Sequence, residues 1–358
     1  MTALADLLRK QIRVTGPLSL AQYMAACLLH PEHGYYTTQD ALGVDGDFTT
    51  APEISQMFGE LVGLCLAQTW LDQGAPDRFA LVELGPGRGT LIADVMRATL
   101  QVPGFHAAAD LHLVEASARM RDLQAAALPA HRPIWHDTAD TLPEDMPVYV
   151  IANEFFDALP IRQFQRDAKG WREVMVGLSA EGNLQRGLSD AAPIEALNSR
   201  LEDTEPGALV ETCAQGSAVI DAIAARIANQ CGMALIIDYG GWHSKGDTFQ
   251  AVRGHRPTDP FAEPGRADLT AHVDFEALAR AALIAGCAAS QLTDQGTFLE
   301  RLGITPRAQS LAKGLTGDAL AAHVAAHRRL THPDEMGSLF KVLGLYPATE
   351  SPPPGLDP

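Results

Sequence analysis

The chain has 358 residues, with 27 Lys and Arg against 44 Asp and Glu, for a formal net charge of −17. Its 46% apolar content can fill a globular core, which excludes disorder for the chain as a whole. The acidic balance argues against a nucleic-acid binder, because phosphate binding needs clustered Lys and Arg; solubility or a basic partner accounts for it.

The amino terminus reads as an amphipathic helix and not as a cleaved signal, with Leu4, Leu7, Leu8 and Ile12 at helical spacing. A second helix is expected over 19–29, ending before Pro31. Residues 30–53, rich in Gly, Asp and Thr, read as loop. They close in a helix start, where Thr50 and Glu53 have capping-box spacing and Pro52 suits the first turn. That helix runs towards Trp70 and breaks at Gly74-Ala75-Pro76.

From Arg78 onward strands alternate with helices. FALVELG (79–85) is a short buried strand, GPGRG its turn, and a helix follows over 90–100. DLHLVEA (110–116) is a second strand with its helix over 117–127, PIWHD (133–137) a third, and PVYVIANE (147–154) a fourth. Further strands are expected at WREVMVGL (171–178) and, after a helix over 215–230, at MALIIDYG (233–240). Such alternation predicts right-handed crossovers and an α/β fold with a doubly wound, mostly parallel sheet. Residues 180–210 and 241–270 read as irregular insertions, and helices are expected within 273–286 and 296–329. The division is a helical segment over 1–77, a core over 78–350, and a disordered tail, SPPPGLDP, over 351–358. Five widely spaced cysteines without a CxxC pair favour a reducing compartment, and no apolar run is long enough to span a bilayer. A cytoplasmic protein without membrane insertion is therefore expected.

A strand that ends in Gly85-Pro86-Gly87-Arg88-Gly89 and opens a helix is a nucleotide-type binding turn. Thr90 stands where the dinucleotide pattern GxGxxG has its third glycine. Glu83, two residues before the first glycine, would repel a pyrophosphate but suits a cationic amine, such as the methionyl ammonium of S-adenosyl-L-methionine. Both features oppose an NAD-dependent oxidoreductase. Glu115, ending the second strand, is placed to accept hydrogen bonds from both ribose hydroxyls. Asp137, after the third strand, either reaches the adenine amino group or caps a turn. At the fourth strand's end, Asn153, Glu154 and Asp157 are either helix-capping residues or, with Phe155 and Phe156, the wall of a pocket for a second cation. Asp47–Glu53 reads equally as a lid over the site or a structural cap. Asp238 suits a cap better than the crevice. The spacing of His255, His272 and Asp274 matches no metal set, so no metal is expected.

The segments YMAACLLHPEHGYY (23–36), GDFTTAPEISQMFGE (46–60), VELGPGRGTLIADV (82–95), ANEFFDALPIRQF (152–164), LIIDYG (235–240), DLTAHVDF (268–275) and MGSLFKVL (336–343) occur in this order along the chain. In them the chain resembles the MidA-like family of S-adenosyl-L-methionine-dependent methyltransferases, whose relatives include a mitochondrial complex I assembly factor with protein-arginine methyltransferase activity. The resemblance implies a Rossmann-like methyltransferase sheet covered by the amino-terminal segment and later insertions. It also implies a cofactor turn at Gly85, Gly87 and Gly89, with Glu83 beside the methionyl tail and Glu115 on the ribose. The acceptor it implies is an accessible arginine of a protein, with a respiratory complex I-type subunit as the candidate and Glu154 and Asp157 as the carboxylates that hold the guanidinium. A cofactor-binding assembly factor without turnover is the competing reading, since fold alone does not establish activity. Nothing in the sequence sets an oligomeric state.

Overall fold

The computed structural model describes residues 2–38 and 49–358. The chain forms two compact units. One comprises Met1–Phe48, Asp157–Gly216 and His243–Asp274; the other comprises Thr49–Phe156, Ser217–Trp242 and Phe275–Pro358. The chain thus divides differently from the expected boundary after residue 77, because the helix before that boundary packs with the sheet.

The second unit carries the doubly wound sheet. Its main path is β1 (Phe79–Leu84), β2 (Ala109–Val114), β3 (Ile134–His136), β4 (Val148–Asn153), β5 (Gly232–Gly241), β6 (Cys287–Ala289) and β7 (Phe340–Pro347), in the spatial order β3-β2-β1-β4-β5-β7-β6, with two short strands paired off that path. The five strands from β3 to β5 run parallel, and β7 lies antiparallel to both β5 and β6. Every residue of β1 and β4 is buried, as expected of central parallel strands covered on both faces. The strand order reverses between β1 and β4, so their carboxyl ends open the crevice where ligands of such sheets sit.

Four helices set the ends of those strands: α1 (Ala51–Ile54), α2 (Gln56–Asp72), α3 (Thr90–Thr99) and α4 (Ala118–Ala127). The expected continuous helix from Thr50 is split at Ser55, whose extended backbone lets its hydroxyl accept Met57 N–H at 3.2 Å. Helix α3 lies close on α2 because α2 has no side chain at two contact points. A Cβ added at Gly59 would stand 2.6 Å from Asp94 Cβ, and one at Gly63 would stand 2.9 Å from Val95 Cα. The core joins Phe58, Val62 and Leu66 of α2 to Phe79, Leu81, Tyr149 and Ile151 of the sheet.

The first unit holds helices Ala3–Thr15 and Leu20–Leu29, a sheet built around the hairpin Arg162–Asp167 and Gly170–Leu178, and a small three-stranded sheet over 250–270. Ser19 and Gln22 close a reciprocal capping box at the second helix. Two expectations are corrected. Residues 171–178 form a strand, but in this antiparallel sheet and not the parallel one. The carboxyl-terminal tail is not disordered: Leu356 is buried in the core of the second unit, Asp357 pairs with Arg301 at 2.8 Å, and Pro354 C=O accepts from Cys65 Sγ. Proline richness misled there because the prolines bracket an anchoring leucine.

Candidate functional site

The turn after β1 is a chain of left-handed glycines, with φ of +58° at Gly85, +53° at Gly87 and +83° at Gly89. A side chain is excluded sterically as well as conformationally, since a Cβ at Gly85 would lie 2.8 Å from the Phe155 ring. Gly85 N–H binds Val114 C=O, so the turn is anchored to β2 and opens at the amino end of α3.

Glu83 points from β1 into this end of the sheet and is only 3% exposed. Burial, weakly offset by the Ile92 backbone N–H, pushes its carboxyl up to about 8. Its Oε2 has no hydrogen-bond partner among the described residues. A buried carboxyl without a counter-charge is costly unless a cation completes it. Asn153, on the neighbouring strand, shares its sheet face, since Ile151 is the register partner of Glu83. Its Oδ1 is likewise buried without a donor among the described residues. Two acceptor oxygens therefore wait near the start of the turn.

Glu115 directly follows β2, and its backbone N–H binds His136 C=O on β3. Its Oε1 accepts Ser117 N–H at 2.8 Å and its Oε2 accepts Gln124 Nε2 at 3.2 Å. Burial raises this carboxyl, and Ser117, Gln124 and Arg121 pull it back. A carboxylate accepts about four hydrogen bonds, so capacity for a pair of hydroxyls remains. Asp137 is exposed and forms a 2.6 Å ion pair with Arg121, whose guanidinium also binds Glu115 C=O.

Glu154 directly follows β4 with φ +51°, a left-handed backbone uncommon for a residue with a side chain. Its N–H is tied to Ile237 C=O on β5, and its Oε1 accepts both Ala51 N–H at 3.0 Å and Asn153 Nδ2 at 3.2 Å. The expected capping box at Thr50 is absent: Thr50 makes no side-chain cap, and Glu53 instead accepts the Thr90 hydroxyl at 2.7 Å. Two carboxylates thus hold α1, one to the end of β4 and one to the start of α3. The rest of the Asp47–Glu53 expectation, with Asp47 and Phe48, lies outside the described residues. Asp238 caps, its two oxygens accepting Phe156 N–H and Tyr239 N–H.

The structure thus brings Glu83, Gly85, Gly87, Gly89, Glu115, Asn153 and Glu154 to one end of one sheet. Asp157 belongs to the other unit, where its carbonyl accepts Ala271 N–H, and where its charge and that of Asp268 add to the burial that raises the Tyr36 phenol. Tyr36 OH donates to Asp268 Oδ1 at 2.8 Å. The residue that sequence reasoning missed is Gln124, fully buried on α4. Its signal was available: a polar residue one turn after buried Met120, on the apolar stripe of a helix. Among the described residues no group of three or more His, Cys, Asp and Glu is placed to hold a metal ion, and no helix is long and apolar enough to cross a membrane.

The model of a family described as putative S-adenosyl-L-methionine-dependent methyltransferase matches residues 61–293. A mouse protein, "Protein arginine methyltransferase NDUFAF7, mitochondrial", is 38% identical over 94% of this chain and 83% of its own. The zebrafish protein of the same name is 37% identical over 93% of this chain and 84% of its own. A solved structure from Burkholderia thailandensis, bound to S-adenosyl-homocysteine, superposes with a TM-score of 0.83 at 29% identity, covering 99% of this chain and 93% of that one. The cytoplasmic expectation is overturned by the relatives, which are named mitochondrial. Reduced, unpaired cysteines do not distinguish one reducing compartment from another, which is why that inference failed.

Proposed function

The chain belongs to the MidA-like family of S-adenosyl-L-methionine-dependent methyltransferases, and from that premise we propose that it methylates an arginine side chain of a protein, a respiratory complex I-type subunit being the candidate acceptor. The residues fit the cofactor: a turn with three left-handed glycines, a buried carboxyl lacking a cation, and a second carboxyl with capacity for two hydroxyls. When bound, the cofactor supplies a methyl group activated on a sulfonium. Glu83 would hold the methionyl ammonium, with Gly85, Gly87 and Gly89 letting the backbone approach and Glu115 fixing the ribose. Asp137, exposed and already paired with Arg121, would add little at the adenine edge.

The arginine assignment draws on the names of the relatives and on the observation that carries it here, the strained Glu154 at the end of β4. A guanidinium brought to a sulfonium meets a like charge. At 4 Å and an effective dielectric of about 20 the repulsion is roughly 4 kcal/mol. A carboxylate beside the acceptor offsets it and orients one nitrogen. Ala51 N–H and Asn153 Nδ2 fix the plane of the Glu154 carboxylate for that task. No strong base is needed, because the attacking nitrogen loses its proton readily once it carries the new methyl.

The test has two parts. Glu154→Gln should lower arginine methylation at least tenfold while S-adenosyl-homocysteine affinity, by calorimetry, stays within about threefold. Equal loss of cofactor affinity would place Glu154 in the cofactor pocket instead. Mass spectrometry of respiratory-complex subunits from cells with and without the gene should show arginine methylation that depends on it. Identical modification in both would remove arginine as the acceptor.

A further inference from the structure

Gln124 makes three side-chain hydrogen bonds from a fully buried position. Its Oε1 accepts Trp135 Nε1 at 2.8 Å, and its Nε2 donates to Gly87 C=O at 2.8 Å and to Glu115 Oε2 at 3.2 Å. The orientation of the amide is chemically determined. An indole N–H only donates, so the oxygen must face Trp135, and both amide hydrogens must face the two acceptors. A flipped amide would set its NH2 against the Trp135 N–H and its oxygen against a carbonyl and a carboxylate. Gly87 is the middle glycine of the cofactor turn and Glu115 the acid at the end of β2. One side chain therefore sets the distance between the two halves of the site.

We propose that Gln124 is a positioning residue for the ribose: it locks Glu115 and the glycine turn into one register, so that selectivity for a vicinal diol depends on an amide beneath Glu115. This rests on the reading of the cleft as an S-adenosyl-L-methionine site with Glu115 on the ribose. The geometry supports a division of labour. Ser117 N–H fixes one oxygen of Glu115 from its own helix start, and Gln124 fixes the other from nearly two turns farther along α4. Without the second bond the carboxylate is held only by the backbone at Ala116 and Ser117, and the plane that faces two neighbouring hydroxyls is lost. Trp135, on β3, orients the amide in turn, so the chain of contacts runs from β3 through α4 to the end of β2 and the turn after β1.

The experiment titrates S-adenosyl-homocysteine and its 2′-deoxy analogue into the wild-type protein, Gln124→Leu and Trp135→Phe, with thermal midpoints recorded for each. A hydrogen bond to a charged group is worth about 10- to 100-fold, so the wild type should prefer the ribose ligand by about that factor. In Gln124→Leu the preference should collapse to under about threefold, and Trp135→Phe should fall between, because its amide is free to turn. A merely structural residue would weaken both ligands alike and leave their ratio unchanged, which overturns the proposal. Trp135→Phe supplies the same comparison if Gln124→Leu does not fold. If the wild type binds neither ligand, the cofactor reading itself fails, an outcome separate from an unchanged ratio.

Discussion

Two glutamates of the second unit are buried to nearly the same degree and do opposite things. Glu60, on α2, is 4% exposed and meets two guanidinium groups: Arg97 at 2.8 Å, and Arg307 at 2.7 and 3.1 Å. Burial alone would raise its carboxyl, but the hydrogen bonds and charges of Arg307 and Arg97 hold it below the usual carboxylate range. Glu83 is 3% exposed, is raised to about 8 by its burial, and only the Ile92 backbone N–H opposes that rise. Removal from water penalises both charges. What differs is whether the protein supplies the cation. Glu60 is completed within the fold and joins α2, α3 and the helix Ile304–Ala312. Glu83 meets no cation among the described residues, and that incompleteness is the ground on which it is proposed as the partner of the ligand's ammonium.

The comparison breaks first, and with the largest effect, at Glu83→Gln. Loss of a desolvated charge partner is worth about 2–5 kcal/mol, so S-adenosyl-homocysteine affinity should fall about 30-fold or more by calorimetry. The same variant should be at least as heat-stable as the wild type at pH 8 without ligand, because it removes a buried charge that nothing in the fold neutralises. Unchanged affinity would show that the ammonium is held elsewhere. The mirror-image experiment is Glu60→Gln. Its guanidinium partners are about half exposed, so solvent screening limits the loss to about 2 kcal/mol of unfolding free energy in urea, with ligand affinity within about threefold. A large loss of ligand affinity there would mean that α2 and α3 transmit strain to the glycine turn, and the contrast between the two acids would dissolve.

What the sequence made legible follows the same division. Apolar runs such as 79–84 and 148–153 announce buried strands, and Gly85 to Gly89 announces a turn, because both signals are local. Periodicity reported a strand over 171–178 but could not report its partner, which is decided by distant residues in another sheet. Strand β7, Phe340–Pro347, lies inside and beyond the motif MGSLFKVL, yet nothing local shows that it inserts between β5 and β6. At the candidate site, the positions of Glu83 and Glu115 by the strand ends could be read from the local pattern. The carboxylates of Glu53 and Glu154 could not be followed, since their partners Thr90 and Ala51 lie 37 and 103 residues away. A local capping box was the reasonable reading of Thr50 and Glu53, and a long-range bond displaced it.

The smallest effect sharpens the contrast through protons. Glu83 is raised above its unfolded value of about 4.5, so between pH 4.5 and 8 the folded, ligand-free protein holds a proton that the unfolded chain has released. Its contribution to stability therefore declines as pH rises through that window. Glu60 behaves in reverse: its contribution is present above the ordinary carboxylate range and is lost as pH falls through its lowered value. Binding of an ammonium to Glu83 favours the ionised form, so ligand binding at pH 7 should release most of one proton, since a group raised to about 8 is mainly protonated there. Calorimetry in buffers of different ionisation enthalpy measures that number directly. Affinity should rise with pH by less than about tenfold per unit and level off near 8, provided the ligand amine stays charged. Glu83→Gln should abolish the proton release and Glu60→Gln should leave it intact. If wild-type binding near pH 7 releases no proton, Glu83 does not change its protonation state on binding, and it is not the group that takes up the ammonium as a newly formed carboxylate.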